Sequence, residues 1–256
     1  FAGIQGELQE TDAEGNTVTT ATVIDRPART VTISATQPGL AGAATRTIFD
    51  GLAVGATGHD GLSSSVQYDA LARASKAIDA RGNATTLSYY QGTNLVLTVA
   101  DGANNPVDTF HYDADGRTDW TRDAGNHYTR YGYNPRGQVI HVWGDGTMPV
   151  AYGYDSNGDG TAYGDRTALS TFRGGTGWTT VNGDGGNAAN PWPASPGNAD
   201  TTTWAYDAAT GLLAAKTDAP TALHPGGMTV AYTYNARGQT ADRTWARGVK
   251  TTYGYD

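Results

Sequence analysis

The sequence predicts an all-β protein, organised as an array of stacked β-hairpins. Residues that favour strands are abundant, with 38 Thr, 15 Tyr and 6 Trp among 256 residues. The strong helix formers Lys and Glu number only three each. Gly recurs three residues after Asp or Asn, a spacing typical of tight turns. These observations exclude a helical bundle and an α/β fold with long amphipathic helices.

Charge and hydropathy restrict the classes of partner. The net charge is -8 and only 16% of residues are charged, with the cations spread thinly along the chain. We therefore expect no nucleic-acid partner. No apolar run approaches the roughly 20 residues of a membrane span, so none is predicted. The absence of Cys excludes disulfides, thiolate zinc sites and thiol catalysis.

A repeat of the form aromatic-x-Tyr-(Asp/Asn)-x-x-Gly accounts for most of the chain. Its clearest copies are 110–117, 131–138, 152–159 and 232–239. Shorter or weaker copies are 23–25, 47–50, 66–69, 204–207 and 253–256, and 88–92 is a degenerate copy whose repeat tyrosine is taken as Tyr90. Several successive tyrosines lie 21 residues apart, a period that indicates a repeat protein.

A second motif, Asp-x-x-Gly-Asn, lies between the tyrosines. It occurs at 12–16 and 79–83, and at 123–126 in a form that is one residue shorter. Two turns in about 21 residues leave two strands, so each repeat is predicted to be one β-hairpin. Aromatic residues at i and i+2 share a strand face, and stacked hairpins would align them in a ladder. Regular recurrence favours packing over a sugar-binding platform for these tyrosines.

The repeat defines the predicted structural positions and the domain organisation. We expect a single array over residues 1–256, with an irregular insertion at about 158–203. The structural positions are Phe49, Asp50, Tyr68, Asp69, Tyr112, Asp113, Gly116, Tyr133, Asn134, Gly137, Tyr154, Asp155, Gly158, Tyr206, Asp207, Gly211, Tyr234, Asn235, Gly238, Tyr255 and Asp256.

This set of motifs resembles the Rhs/YD-repeat family. The likeness runs from about residue 12 to residue 256, with gaps at 158–203 and 218–228. Members include bacterial Rhs polymorphic toxins, the C component of insecticidal toxin complexes and the teneurins. The resemblance implies a long β-sheet that spirals into a hollow shell around a C-terminal toxin or effector domain, or an extracellular adhesion scaffold. It also implies secretion or a place on the bacterial cell surface.

One feature departs from that family pattern. The self-cleaving region of the family is rich in Asp-Pro steps, and this sequence has none. Both ends are expected to be cuts through a longer protein, since the chain starts at Phe1 and stops inside a motif at 255–256. Because open sheets of more than about 10 strands curl or split, we expect a curved, partial wall. The expected partners are further repeats of the same chain, an enclosed effector, or a second copy joined through edge strands.

Residues 155–161 are similar to the start of a calcium loop. Asp155, Asn157 and Asp159 would supply oxygens at positions 1, 3 and 5, with Gly160 at position 6. Position 12 is Arg166 instead of an acid, and Asp155 is also the turn residue of its repeat. A candidate calcium site and a solvated hairpin turn are both open, and no other cofactor is predicted.

The low-complexity segment 174–200 interrupts the repeat period. It is an insertion loop or an additional irregular hairpin. Its two tryptophans, Trp178 and Trp192, are candidates either for binding a glycan or a partner or for anchoring the loop against the sheet.

The sequence predicts a structural function and no catalytic residues. Motifs of serine hydrolases, P-loop proteins and zinc proteases are absent, and the five histidines are scattered. We expect a YD-repeat scaffold that encloses or displays a toxin or effector domain. The alternatives are an extracellular adhesin that binds carbohydrate or protein, and a fibre-forming protein that assembles through its end strands.

Overall fold

A computed structural model describes residues 4–155, 164–174 and 191–256 of the chain. Over these residues it contains twenty β-strands and no helix, which confirms the predicted all-β class and the array of hairpins. No helix in the described part could cross a membrane. The chain consists of two compact units, residues 1–110 and 111–256.

The first unit is an antiparallel sheet in which each strand pairs with the next along the chain. Its strands are β1 (Ile4–Thr11), β2 (Thr17–Asp25), β3 (Thr30–Thr36), β4 (Ala44–Phe49), β5 (Leu52–Thr57), β6 (Ser63–Tyr68), β7 (Ala74–Ile78), β8 (Ala84–Tyr89), β9 (Val96–Ala100) and β10 (Pro106–Tyr112). The last two residues of β10 belong to the second unit.

The second unit has the same sequential, antiparallel order. Its strands are β11 (Thr118–Asp123), β12 (Tyr128–Tyr133), β13 (Val139–Trp143), β14 (Val150–Tyr154), β15 (Arg166–Arg173), β16 (Asn198–Tyr206), β17 (Leu213–Thr217), β18 (Thr229–Tyr234), β19 (Thr240–Thr244) and β20 (Lys250–Thr252).

Part of the region predicted as an irregular insertion is a regular strand. Residues 166–173 form β15, which pairs with β14 on one side and β16 on the other. Thr167, Leu169 and Thr171 alternate with the smaller Ala168 and Ser170 in β15, which suits a strand in a sheet that is partly buried. The chain on both sides of β15 passes through residues outside the described ranges.

A β-bulge recurs at the same place in successive repeats. Gln67 pairs with Lys76 and Tyr68 pairs with Ala74, so that one residue of β7, Ser75, is left over. The same shift accompanies the repeat tyrosine at the ends of β8, β12, β14, β16 and β18. A bulge bends its strand and increases the local right-handed twist. Each of these repeats therefore bends its sheet locally at an equivalent position.

The strands of each unit form one layer with little buried core. In the described residues the buried apolar side chains are Ala100 in the first unit, and Trp120, Tyr128, Trp143 and Pro193 in the second. Most strand residues are half-buried. Because the described part of each unit consists of one sheet and has no helix, contacts between neighbouring strands must supply most of its stability.

The two faces of the first unit differ in chemistry. Register places Thr32 beside Thr47 and Ser34 beside Thr45 on one face, and hydroxyl pairs continue that face at Thr11–Thr17 and Thr57–Ser63, both 2.8 Å apart. On the opposite face Val31 lies between Ile24 and Ile48. Around β2 to β4 one face is therefore rich in hydroxyls, and the other carries an aliphatic cluster that is bordered by Thr22 and Arg46.

Candidate functional site

The repeat tyrosine joins successive hairpins through its hydroxyl. Tyr133 donates a hydrogen bond of 2.6 Å to the carbonyl of Thr118, the first residue of β11. The same bond, at 2.7 to 3.0 Å, links Tyr68 to Ala53, Tyr89 to Ala74, Tyr154 to Val139, Tyr206 to Arg166, Tyr234 to Leu213 and Tyr255 to Thr240. Every acceptor lies at or next to the start of an odd-numbered strand.

Register explains how one tyrosine can contact two hairpins. Tyr89 ends β8 and pairs with Val96 of the strand that follows, while its hydroxyl reaches Ala74 of the strand that precedes. The ring therefore lies between the starts of two odd-numbered strands. Burial raises the pKa of Tyr133, Tyr206 and Tyr234, so each hydroxyl keeps its proton and stays a donor at neutral pH.

Five-residue loops close the hairpins at both ends of the strands. In the loop 113–117 the carboxylate Oδ1 of Asp113 accepts the backbone N–H groups of Asp115 and Arg117, both at 2.9 Å. The Asp113 N–H donates to the carbonyl of Arg117, and Gly116 takes the positive φ of 76° that closes the turn. Equivalent loops begin at Asp12, Asp69, Asp79, Asp101, Asp123, Asn134 and Asn235.

The first and fifth residues of each loop are chemically matched. Where the first residue is Asp, the fifth is a donor that reaches Oδ2, namely Asn16, Arg73, Asn83, Asn105, Arg117 or His127. Where the first residue is Asn, the fifth is Gln, whose carbonyl oxygen accepts from the Asn amide in the pairs Asn134–Gln138 and Asn235–Gln239. Each side-chain donor therefore faces an acceptor, and no two donors or two acceptors face each other.

These hydrogen bonds lower the pKa of the loop carboxylates. Side-chain and backbone donors of the fifth residue are the largest causes at Asp12, Asp69, Asp79 and Asp101, and the backbone N–H of His127 has the same effect at Asp123. At Asp113 partial burial opposes the shift, but the donors of Arg117 outweigh it. The ionised form is therefore favoured in the folded state.

In two repeats an arginine joins the loop to the next tyrosine. The Arg117 guanidinium binds Asp113 Oδ2 at 2.6 to 2.7 Å and lies 4.7 Å from the ring centroid of Tyr133. Arg73 binds Asp69 in the same way and lies 4.3 Å from the ring centroid of Tyr89. This group of a loop Asp, its arginine and the next repeat tyrosine is called the interlock below.

Several predicted repeat positions have a different local structure. Phe49 precedes a two-residue turn made of Asp50 and Gly51, which both have positive φ. Asp207 begins a six-residue loop that ends at Leu212, with Gly211 at a φ of 69°. Asp155 begins a longer loop: its N–H donates to the Asp165 carbonyl, and its carboxylate accepts the Gly164 N–H. Tyr112 ends β10, and Asp256 follows the bonded Tyr255.

Two details of the repeat assignment are corrected. The repeat tyrosine of residues 88–92 is Tyr89 and not Tyr90, because Tyr89 makes the hydroxyl bond and Tyr90 holds the first loop position. The loop that begins at Asp123 is not shorter than the others, since it ends at His127. Asn126 takes the positive-φ position there, at 64°, because Asn tolerates this conformation better than most residues.

Sequence reasoning missed one loop with the full set of contacts. The loop 101–105 has Asn104 at the positive-φ position in place of Gly, with a φ of 63°. The sequence feature that could have identified this loop is Asn105 at its fifth position, a side-chain donor as in the other Asp loops. The recurring bulge carries no residue signature, because the extra residues include Ser75, Ile140 and Ala241.

Trp192 packs against aromatic side chains of the second unit. Its ring stacks on His141 with centroids 4.0 Å apart, and it meets Trp143 and Phe172 edge-on at 5.7 and 5.4 Å. Burial lowers the pKa of His141, which favours the neutral imidazole. This geometry matches the anchoring interpretation of Trp192. Trp178 lies outside the described residues.

The candidate calcium site falls mostly outside the described ranges. Asp155 is described, whereas Asn157, Gly158 and Asp159 are not. Among described residues no group of three or more His, Asp or Glu side chains could hold a metal ion. The calcium site stays a prediction from the sequence.

No protein-family model and no curated protein matches this chain. Solved structures that are similar include TcdB2-TccC3 without its hypervariable C-terminal region, at 15% identity and a TM-score of 0.41 over 96% of this chain and 16% of that one. The Tc holotoxin pore of Photorhabdus luminescens is similar at 13% identity and a TM-score of 0.37, over 95% of this chain and 18% of that one. The chain spans about a sixth of the length of these structures.

Proposed function

We propose that this chain is a structural scaffold of YD repeats, which forms part of a β-wall that encloses or displays a toxin or effector domain. We propose no catalytic residue and no cofactor for it. The observation that carries the proposal is the regular tyrosine bond between successive hairpins, because it fastens each hairpin to the next without a second layer of structure.

The chemistry of this bond suits a wall. Each hydroxyl-to-carbonyl bond contributes on the order of 1 kcal/mol, and the same bond recurs along the chain. Cooperation between neighbours is how repeat arrays gain stability that a single hairpin lacks. A wall of this kind can be extended by repeats of the same chain.

The recurring bulges favour a wall that curves. A bulge at the start of successive odd-numbered strands bends and twists each of them in the same sense. A sheet that bends once in each repeat can surround a volume, whereas a flat sheet cannot.

The two faces of the first unit suit different roles in such a wall. Hydroxyl groups such as those of Thr32 and Thr47 are hydrated at little cost. The aliphatic face around Val31 and Ile48 suits contact with an enclosed, partly unfolded polypeptide. A secreted or cell-surface location in bacteria is part of the same proposal.

Protease protection tests enclosure in the protein at its natural length. We expect the enclosed region to resist proteinase K while the wall is intact. Loss of two tyrosine bonds, in Tyr133→Phe/Tyr154→Phe, should open the wall and increase the rate of cleavage of that region at least tenfold. The matched control is Tyr131→Phe/Tyr152→Phe, since these hydroxyls make no hydrogen bond to described residues.

Equal cleavage in the wild type and the double variant would contradict enclosure. Binding of immobilised glycans by the intact protein, with no protected region, would favour the adhesin alternative.

A further inference from the structure

The Asp207 loop lacks the arginine that completes the interlock in two other repeats. Residues Arg73 and Arg117 each follow the positive-φ residue of a loop that begins with Asp. The equivalent residue after Gly211 is Leu212, which has no donor for a carboxylate. The carboxylate and the next tyrosine are nevertheless both present, as Asp207 and Tyr234.

The tyrosine bond shows that the positions are equivalent. Tyr133 binds the carbonyl of Thr118, the residue after Arg117, and Tyr89 binds that of Ala74, the residue after Arg73. Tyr234 likewise binds the carbonyl of Leu213, the residue after Leu212. The Tyr234 ring therefore has the same place relative to its loop as the rings that arginine covers.

The contacts of Asp207 leave one carboxylate oxygen for a ligand. Oδ1 accepts the N–H groups of Ala209 and Thr210 and the Thr210 hydroxyl, at 2.8 to 3.1 Å. These donors lower its pKa, so Asp207 is ionised at neutral pH. No described group pairs with Oδ2, whereas in Asp113 and Asp69 this oxygen receives the guanidinium.

A groove of about 640 Å³ lies at this place within the second unit. It is lined by Asp207, Thr210, Leu212, Tyr232, Tyr234 and Asn235, among others. A guanidinium needs a carboxylate in the plane of its donors and gains further from an aromatic face. The groove offers the Asp207 carboxylate and the Tyr234 ring.

We propose that the groove between the Asp207 loop and Tyr234 binds an arginine side chain from another polypeptide segment. The guanidinium donates to Asp207 Oδ2 and stacks on the Tyr234 ring, as Arg117 does on Asp113 and Tyr133. Leu212 contributes an apolar wall for the methylene groups of the incoming side chain. The repeat thus completes its interlock with a residue supplied by a partner.

The test is a titration of this chain with Nα-acetyl-arginine methylamide, followed by the methyl NMR signals of Leu212. The arginine probe should shift these signals in a saturable way, and the neutral citrulline analogue should not. Asp207→Asn should weaken binding at least tenfold, because it removes the charge. Leu212→Arg should abolish binding, because the chain then fills its own groove.

A reciprocal variant provides the matched control. Arg117→Leu removes the guanidinium at an interlock that is complete, so it should create a second site for the arginine probe next to Asp113. Both leucine and arginine occur naturally at this loop position, so these exchanges should leave the dispersion of the NMR spectrum intact.

Three results would overturn the proposal: no shift of the Leu212 signals at saturating probe, an equal response to citrulline, or undiminished binding to Leu212→Arg. The proposal does not rest on enclosure of an effector. The titration can fail while protease protection succeeds, and the reverse is equally true.

Discussion

The Tyr133 hydroxyl lies 2.6 Å from the carbonyl oxygen of Thr118, 15 residues earlier in the chain. This contact joins one hairpin to the next, and it recurs at six other tyrosines. The Tyr133 side chain therefore links the closure of a loop to the stacking of successive hairpins.

Removal of this hydroxyl should destabilise the array. Tyr133→Phe deletes the donor and leaves the Thr118 carbonyl without that bond, so we expect a loss of about 1 kcal/mol in the free energy of unfolding. Urea denaturation measures the change. Tyr131→Phe, whose hydroxyl bonds to no described residue, should cost less than half as much. Equal losses in the two variants would contradict a specific contribution from the bond.

Where a residue other than glycine has the positive φ in a loop, its replacement by glycine should stabilise the fold. Ala72 has a φ of 60°, which is strained for a residue with a Cβ. Ala72→Gly should therefore raise the free energy of unfolding by roughly 0.5–1 kcal/mol. Gly116→Ala, where an added Cβ meets no atom within 4 Å, should lower it by a similar amount through conformation alone.

Ala70→Gly is the matched control for Ala72→Gly. Ala70 lies in the same loop without a positive φ, so glycine there should destabilise the protein through the unfolded state. An identical effect at both positions would show that the φ requirement is not what selects glycine.

Acid should weaken the loops through their carboxylates. The pKa of Asp79 and of Asp101 is lowered by hydrogen bonds, so each carboxylate stabilises the fold above its unfolded pKa near 3.9. That contribution is lost as the pH falls through the lower, folded pKa. The free energy of unfolding should therefore decline below about pH 4, as urea titrations at several pH values can measure.

Asp79→Asn/Asp101→Asn should make that acid decline shallower. The control Glu10→Gln/Glu14→Gln removes the same charge from carboxylates that accept none of the loop N–H groups. Equal slopes in both double variants would contradict the loops as the source of the acid sensitivity.

The contact between Trp192 and His141 should produce a separate pH dependence. Burial lowers the pKa of His141, so the unfolded chain takes up its proton first as the pH falls below about 6.5. Stability should therefore decrease from that pH downwards, until the folded imidazole is protonated as well. His141→Phe keeps a ring under Trp192 and should remove this dependence, whereas Trp192→Ala should cost about 1–2 kcal/mol through lost ring contacts.

Thermal unfolding between pH 5 and 7.5 follows this effect. A wild-type curve that is flat between pH 5 and 6.5, or one that His141→Phe leaves unchanged, would contradict the prediction.

Local rules made much of this structure predictable from the sequence. Asp or Asn followed by Gly located most loops, because the turn requires a side-chain acceptor and a positive φ. The i, i+2 aromatic pattern assigned Tyr131 and Tyr133 to one face of β12. Tyr89 and Tyr90 are adjacent tyrosines that the sequence does not distinguish. The Tyr89 hydroxyl bonds to Ala74 at the start of an odd-numbered strand, whereas the Tyr90 hydroxyl bonds to Phe110 in β10.

Other features had no local signature. The bulge residues share no side-chain type. The pairing of Trp192 with His141 joins residues 51 positions apart, and no periodicity marks it. Leu212 lies where other repeats have arginine, and only the hydrogen bond from Tyr234 to Leu213 identifies that position.

Electron microscopy of the protein at its natural length tests the central claim most directly, namely that these linked hairpins build an enclosing wall. The account predicts closed hollow particles with density inside. Long filaments, or open sheets with no enclosed volume, would contradict it.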